Sequence, residues 1–469
     1  AINIFADWPL FTRQGDRNTM KRWEAGKARD TDALRVALVL DPLKEETDIE
    51  RLCALGPNSL RALRLKKTSY ERLDAPLGHL FREATLDALE HLVLDQLTLL
   101  RGAELLSEFA NHRTFPALQK LEILATNIGG RRDLGDAVLT ALHSKFALDK
   151  VRVLHLYLTS IRARGLEGLC RSGALFLECL VLDGERVELD GARALATCAT
   201  LSGLRHLTLR RAHLDDGGIE LLTNAEFWPA LETLSLAGDR AIRLGTAAAR
   251  RVCETPSHRL QVLDLASSDV DGDAARQLAH APLAAMGTLI LSGNSLGREG
   301  LVPLLESTWL EHVEVLDLSG TGMDDELVQR LVSRSMKRLK ALNLAGSALT
   351  HLGLTALMRT HQMPLLSELS LASCRLEGEA LEALQADGLP SLARLELSFN
   401  PLGDDGAQRL AAAPRCEHLR AISLESTHIL NSGIAALQAS RYTCGRFGGL
   451  PGHILAATHE PWMWSRIRS

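Results

Sequence analysis

The sequence predicts an α/β solenoid of stacked strand–turn–helix units between two caps, and three observations carry that prediction. The unit Leu-x-x-Leu-x-Leu recurs from Leu60-Leu63-Leu65 through Leu289-Leu291 to Leu419-Ile422-Leu424. Successive units start 29, 29, 33, 26, 27, 27, 29, 26, 27, 26, 27, 26 and 27 residues apart. The composition, 46% hydrophobic and 24% charged, is that of a folded chain. A period of about 20–50 residues marks an array of supersecondary units, so the 469 residues are not divided into three ordinary domains.

Each element follows from its own period. Leu-x-Leu alternation sends two leucines to one face of a short strand and the intervening residues to the other. A turn such as Gly403-Asp404-Asp405 follows, with carboxylates suited to a helix N-terminus, and Gly406-Ala-Gln-Arg-Leu410 then takes helical spacing. One unit cannot bury its leucines alone. About fourteen of them, over residues 60–441, stack into a continuous core with a parallel sheet along one side.

Leu291-Ser-Gly-Asn294-Ser-Leu296-Gly297-Arg-Glu-Gly300 and Leu397-Ser-Phe-Asn400-Pro-Leu402-Gly403-Asp-Asp-Gly406 resemble the leucine-rich repeat family, in its ribonuclease-inhibitor-like subclass. The resemblance implies a horseshoe with parallel strands on the concave face, helices on the convex face, and partner binding mainly through the concave face. The family's turn asparagine is matched only by Asn294 and Asn400. Thr68, Thr126, Thr159, Thr321, Thr427, Ser268, Ser347 or Cys374 stand there in other repeats, which suggests a divergent branch with looser turns. Residues 1–59 lie outside the pattern and are expected to form an N-terminal helical cap, with Asp32 to Leu40 read as helical. Phe5-Ala-Asp-Trp8 with Gly15-Asp16 resembles a signature that accompanies bacterial leucine-rich repeats, which implies a bacterial source. Residues 442–469, with Phe447, Trp462 and Trp464, read as a C-terminal cap, or alternatively as an aromatic docking tail.

No HExxH, phosphate-binding GxxxxGK[ST] or GxSxG motif occurs, nor any Cys/His spacing for zinc, so the expectation is a non-enzymatic chain without cofactor or metal. Eight dispersed cysteines suit a reducing cytoplasm. The N-terminal AINIFADWPLF lacks the pattern of a signal peptide, and a start at Ala1 is read as processed or trimmed. With no apolar run near about 18 residues, no membrane span is expected.

The outward strand positions are the candidate binding surface. In the first six repeats they carry nine basic residues, among them Arg64, Lys66 and Arg210, against five acidic ones, a net of +4. The remaining repeats carry three against seven, including Asp264 and Asp317, a net of −4. His91, His155, Tyr157 and His206 add aromatic character, and His155, Tyr157, His206 and Arg210 are read as equivalent outward positions that either anchor a partner or pack laterally between strands. The inserted Gly129 to Asp133 turn is a second candidate contact. Mixed charge without interleaved aromatic and basic rows favours a protein partner over nucleic acid. The expected function is a protein–protein interaction scaffold. Alternatives are a regulatory subunit, inhibitor or immunity protein controlling an enzyme or toxin, or a secreted effector. If residues 442–469 cap the last repeat, deleting them should convert a monomer into aggregates on size exclusion, whereas an unchanged elution profile and melting temperature would assign the tail another role.

Overall fold

In the computed structural model, the described residues are 34–40, 60–67, 87–95, 116–124, 136, 139, 150–157, 161–171, 176–239 and 241–440. The chain forms two compact units, one of Ile4–Leu244 and one of Gly245–Ser469 with Ala1–Asn3. In the first unit, eight parallel strands follow one another in sequence order: β1 (Leu34–Leu40), β2 (Leu60–Lys67), β3 (His91–Asp95), β4 (Lys120–Leu124), β5 (Val153–Tyr157), β6 (Cys179–Asp183), β7 (His206–Arg210) and β8 (Thr233–Ser235). In the second unit the same order holds for β9 (Val262–Asp264), β10 (Thr288–Ile290), β11 (Val315–Asp317), β12 (Ala341–Asn343), β13 (Glu368–Ser370), β14 (Arg394–Glu396) and β15 (Ala421–Ser423). Helices such as α1 (Ala163–Arg171), α2 (Glu188–Ala196) and α3 (Asp216–Thr223) separate the strands, as an α/β solenoid requires. Among the described residues no helix is long and apolar enough to cross a membrane.

One expectation is corrected at the start of the ladder. Residues 34–40, read as helical, are strand β1, which pairs Val36 with Leu63 and Leu38 with Leu65. Apolar residues at 34, 36, 38 and 40 have a period of two, and in register with the first leucine strand that period prevails over helical spacing. The rest of residues 1–59 and all of 442–469 lie outside the described residues, as does the Gly129 to Asp133 turn.

Alternation builds the core. In β5 and β7 the leucines are buried while their neighbours are half-exposed. Consecutive helices are joined at their first turns by carboxylates that reach across one repeat. Asp136 accepts from the N–H groups of Arg162 (2.7 Å) and Gly165 (3.0 Å) at the start of α1. Asp325 does the same for Thr350 and Gly353, and Asp404 for Leu430, at the next helix in each case. The turn acid Asp404 thus serves the helix that follows its own, where a negative charge meets unpaired donors and the positive end of the helix dipole. Such stacking leaves no room for side chains at some first turns: a Cβ on Gly300 would stand 2.8 Å from the Gly272 Cα.

The turn asparagines bind two repeats together. Asn294 Oδ1 accepts from the N–H groups of Ser268 (2.9 Å) and Val270 (3.1 Å) in the preceding repeat, and its Nδ2 donates to the carbonyls of Leu265 (2.7 Å) and Leu291 (2.8 Å). Asn400 repeats the pattern on Cys374, Leu376, Leu371 and Leu397. The substitutes do less. Thr321 and Thr427 donate only to carbonyls three residues back, and the buried Ser347 hydroxyl has no partner. Glu185 takes the equivalent place in its own repeat, fully buried, and accepts from the Ile161 N–H at 2.8 Å. Leaving buried backbone donors unpaired costs about 1–3 kcal/mol per group. Asn294→Ala should therefore lower unfolding stability by roughly 3 kcal/mol in chemical denaturation, and Ser347→Ala by less than about 1 kcal/mol.

Candidate functional site

The outward side chains of the first unit fall into three rows fixed by the strand register. The first runs Ala62, His91, Lys120, Val153, Cys179, His206, Thr233. The second runs Arg64, Val93, Glu122, His155, Val181, Thr208, Ser235. The third runs Lys66, Asp95, Leu124, Tyr157, Asp183, Arg210. The expectation that His155, Tyr157, His206 and Arg210 are equivalent positions is therefore corrected. Only Tyr157 and Arg210 share a row, because the two histidines stand at different offsets from the strand leucines. The side chain of Lys66 lies outside the described residues, and Arg64 is half-buried on β2.

Glu122 draws three neighbours together. Its Oε1 meets Lys120 Nζ at 2.7 Å and His91 Nε2 at 2.8 Å, and its Oε2 lies 3.3 Å from His155 Nδ1. Burial pushes this carboxyl's pKa up, but hydrogen bonds from His155 and His91 and the charge of Lys120 outweigh it and hold the pKa far below the ordinary 4.5. His206 packs laterally on Thr233, Nδ1 to Oγ1 at 3.1 Å, and burial lowers its pKa, so it is neutral near pH 7. The three histidines are thus engaged between strands. Among the described residues no group of three or more His, Cys, Asp and Glu is disposed to hold a metal ion.

The third row ends in a different kind of cluster, at the C-terminal edge of the strands. Asp183 is gripped by two guanidiniums: Arg211 Nη2 at 2.5 Å and Nε at 3.1 Å, and Arg210 Nη1 at 3.6 Å. The Arg211 guanidinium also lies over the Tyr157 ring, 5.7 Å from its centre, a cation–π contact that orients both. Two cations on one anion leave the cluster positive. Arg211 keeps 29% of its side chain exposed in this arrangement and has φ 51°, in the left-handed region. The turn two residues past the last strand leucine demands that conformation, and Gly184, Gly293, Gly320 and Gly346 meet it without a Cβ. Arg211 and, in the second unit, the 55% exposed Phe399 meet it with large side chains. Bulky residues held in this region are a mark of functional positions. Aligning the repeats on their leucines and noting where this glycine is replaced by Arg or Phe would have singled out both from sequence.

The acidic expectation for the second unit is corrected. Asp264 and Asp317 are each 1% exposed, not displayed to solvent. Their carboxylates fold back on their own turns, Asp264 accepting from the Ala266 N–H at 3.2 Å and Asp317 from that of Ser319 at 3.0 Å. Asn343 and Glu396 do the same for Ala345 and Ser398. An acceptor at this place satisfies a backbone donor where the strand ends, and that local demand accounts for much of the apparent negative charge. Other charges of both units pair laterally with the next strand: Arg61 with Glu90, Arg205 with Glu232, Lys340 with Glu314, Arg394 with Glu368.

Parallel strands in sequence order, helices between them and asparagine-bridged turns define the fold class, an α/β leucine-rich repeat solenoid, and a family profile described as Leucine Rich repeat matches residues 388–411. Among particular proteins, the chain is similar to pig ribonuclease inhibitor, 26% identical over 356 residues that cover 70% of this chain and 76% of that one. It is also similar to human NACHT, LRR and PYD domains-containing protein 12, 30% identical over 294 residues, or 59% of this chain and 24% of the relative, so it spans about a quarter of that protein's length. The structure of the Rad7 and Elc1 complex in yeast matches 90% of each chain with a TM-score of 0.50 at 13% identity, a likeness of fold alone.

The lowered Glu122 pKa fixes the sign of a pH effect. A carboxylate whose folded pKa lies below its unfolded value contributes stability above the unfolded value, and that contribution is lost as pH falls below it. Glu122→Gln should cost about 3 kcal/mol at pH 7, and the gap to wild type should shrink as pH falls below 4.5, measured by urea denaturation across pH.

Proposed function

We propose that this protein is a non-catalytic scaffold that binds a protein partner through the non-leucine face of its sheet, anchored at Tyr157, Asp183, Arg210 and Arg211. The observation that carries this reading is the half-exposed Tyr–Arg cluster at the strand edge, pinned by an ion pair, a cation–π contact and a left-handed turn. Preorganised aromatic and Arg groups are what binding hot spots are made of, and a positive, planar donor pair selects a carboxylate-bearing partner. Arg64, Lys66 and the His91–Glu122–His155 group extend this surface along the rows toward β2. The terminal segments 1–59 and 442–469 act as caps, and dispersed reduced cysteines suit a cytoplasmic setting.

The likeness to a ribonuclease inhibitor supports a second reading within the same binding function, in which the partner is an enzyme held inactive. The ribonuclease-inhibitor-like subclass fits the long helical repeats and the asparagine turns of Asn294 and Asn400.

A partner captured from the source cell, identified by mass spectrometry and then purified, allows a direct measurement. Tyr157→Ala and Arg211→Glu should each weaken its affinity roughly 30-fold, equivalent to about 2 kcal/mol, while Glu220→Lys on the exposed face of α3 leaves it unchanged. Wild-type affinity in both rim variants would refute the assignment of the anchor. Assaying the partner's own activity with and without the scaffold then separates an inhibitor from a tether.

A further inference from the structure

The second unit has a sheet face that its own strands do not cover. Leucine spacing turns Leu289 and Leu291 into the core, so Thr288 and Ile290 on β10 face outward, as do Val315 on β11 and Ala341 on β12. All four are 0% exposed. Val262 on β9 and Glu368 on β13 flank them at 5% each. The corresponding outward residues of β5 and β7 in the first unit, His155 and Thr208 among them, stay half-exposed. Among the described elements, the main contacts of β10, β11 and β12 are with the strands on either side. What seals this face from water is therefore chain outside the described residues.

The face is also built to be covered. Ser292, Ser319 and Ala345 continue its rows with small side chains, and a backbone can approach such a floor closely. Thr288 Oγ1 is buried there without a hydrogen-bond partner. A polar group sealed off in that way costs free energy, which an open face would recover by admitting water.

We infer that the outward face of β10 to β12 is the docking groove of this chain's own amino-terminal end, Ala1-Ile2-Asn3, held there as a latch that closes the face to other partners. The compact unit built on Gly245–Ser469 takes in one further piece of chain, and that piece is Ala1–Asn3. Three extended residues span about 10 Å, the width of three strands set about 4.8 Å apart, and the strip of zero exposure has that width. Ala1 and Ile2 bring apolar side chains for Ile290, Val315 and Ala341 to pack against. Glu314 stands next to Val315 and pairs with Lys340 at 2.8 Å. Burial raises its pKa, but hydrogen bonds from Lys340 and from the chain's amino terminus outweigh it and hold the carboxyl below its ordinary range. The latch uses neither Tyr157 nor Arg211, so it and the anchor proposed above stand or fall separately.

Single cysteines read the cover directly. Thr288→Cys falls on tryptic peptide 277–298, Val315→Cys on 299–330, and Thr208→Cys, an open control, on 206–210, none of which holds a native cysteine. Each variant is alkylated with iodoacetamide under native conditions, quenched over time, digested and quantified by mass spectrometry. The fully buried Cys374, on peptide 360–375, reports whether the chain stays folded. In the full chain the thiols of Thr288→Cys and Val315→Cys should react roughly 100-fold more slowly than that of Thr208→Cys. Removing residues 1–12 should bring both within about tenfold of the control while Cys374 stays unlabelled, and a synthetic peptide of residues 1–12 should restore the protection. Reaction as fast as the control in the full chain overturns the proposal. So does protection that survives the truncation, which assigns the cover to residues 441–469 instead. In the untruncated wild type, a carbodiimide should join the Ala1 amine to Glu314, recovered as peptide 1–13 bound to 299–330 and one water lighter than their sum. That measurement needs no variant, so its outcome decides the matter where truncation impairs folding, and absence of the joined peptide there refutes the latch.

Discussion

The constraint on which the structure depends is lateral. No strand–turn–helix unit buries its own leucines, so each is completed by the unit beside it, one repeat of about 26–29 residues away in the chain. Many of the polar contacts that join the repeats follow the same rule. Asn294 reaches back to Ser268 and Val270, Asp404 reaches forward to Leu430, Arg394 pairs with Glu368, and Glu122 collects groups from the strands on both sides of its own. Stability in such an array is a sum of neighbour terms, and a turn that loses its bridge, as at Ser347, weakens one junction without displacing the rest.

That rule also decides which outward groups remain for a partner. A side chain standing about 4.8 Å from its counterpart on the next strand finds lateral company first. His91, His155 and Lys120 converge on Glu122, and His206 on Thr233, so much of the charge and aromatic character of the face maintains the face itself. The strand edge differs because the turn there imposes a left-handed residue. Where that residue is Arg211 instead of glycine, a guanidinium is raised beside Tyr157 and Asp183, partly exposed and already oriented. The sheet supplies the spacing and the turn supplies the presentation.

The leucine spacing by itself determined the repeat, the parallel order of the strands and the assignment of leucines to the core, because period two and a fixed repeat length leave one way to bury them. It also marked Asn294 and Asn400, whose role is set by place in the repeat. Tertiary structure alone decided the rest. Strand β1 was read as helix because a short apolar run carries both periods until a neighbouring strand selects one. Asp264 and Asp317 counted as surface charge because strand alternation gives a direction but not whether a carboxylate turns back onto its own backbone. The union of Arg211, Tyr157 and Asp183 depends on register between residues one or two repeats apart, which no local pattern of residues encodes.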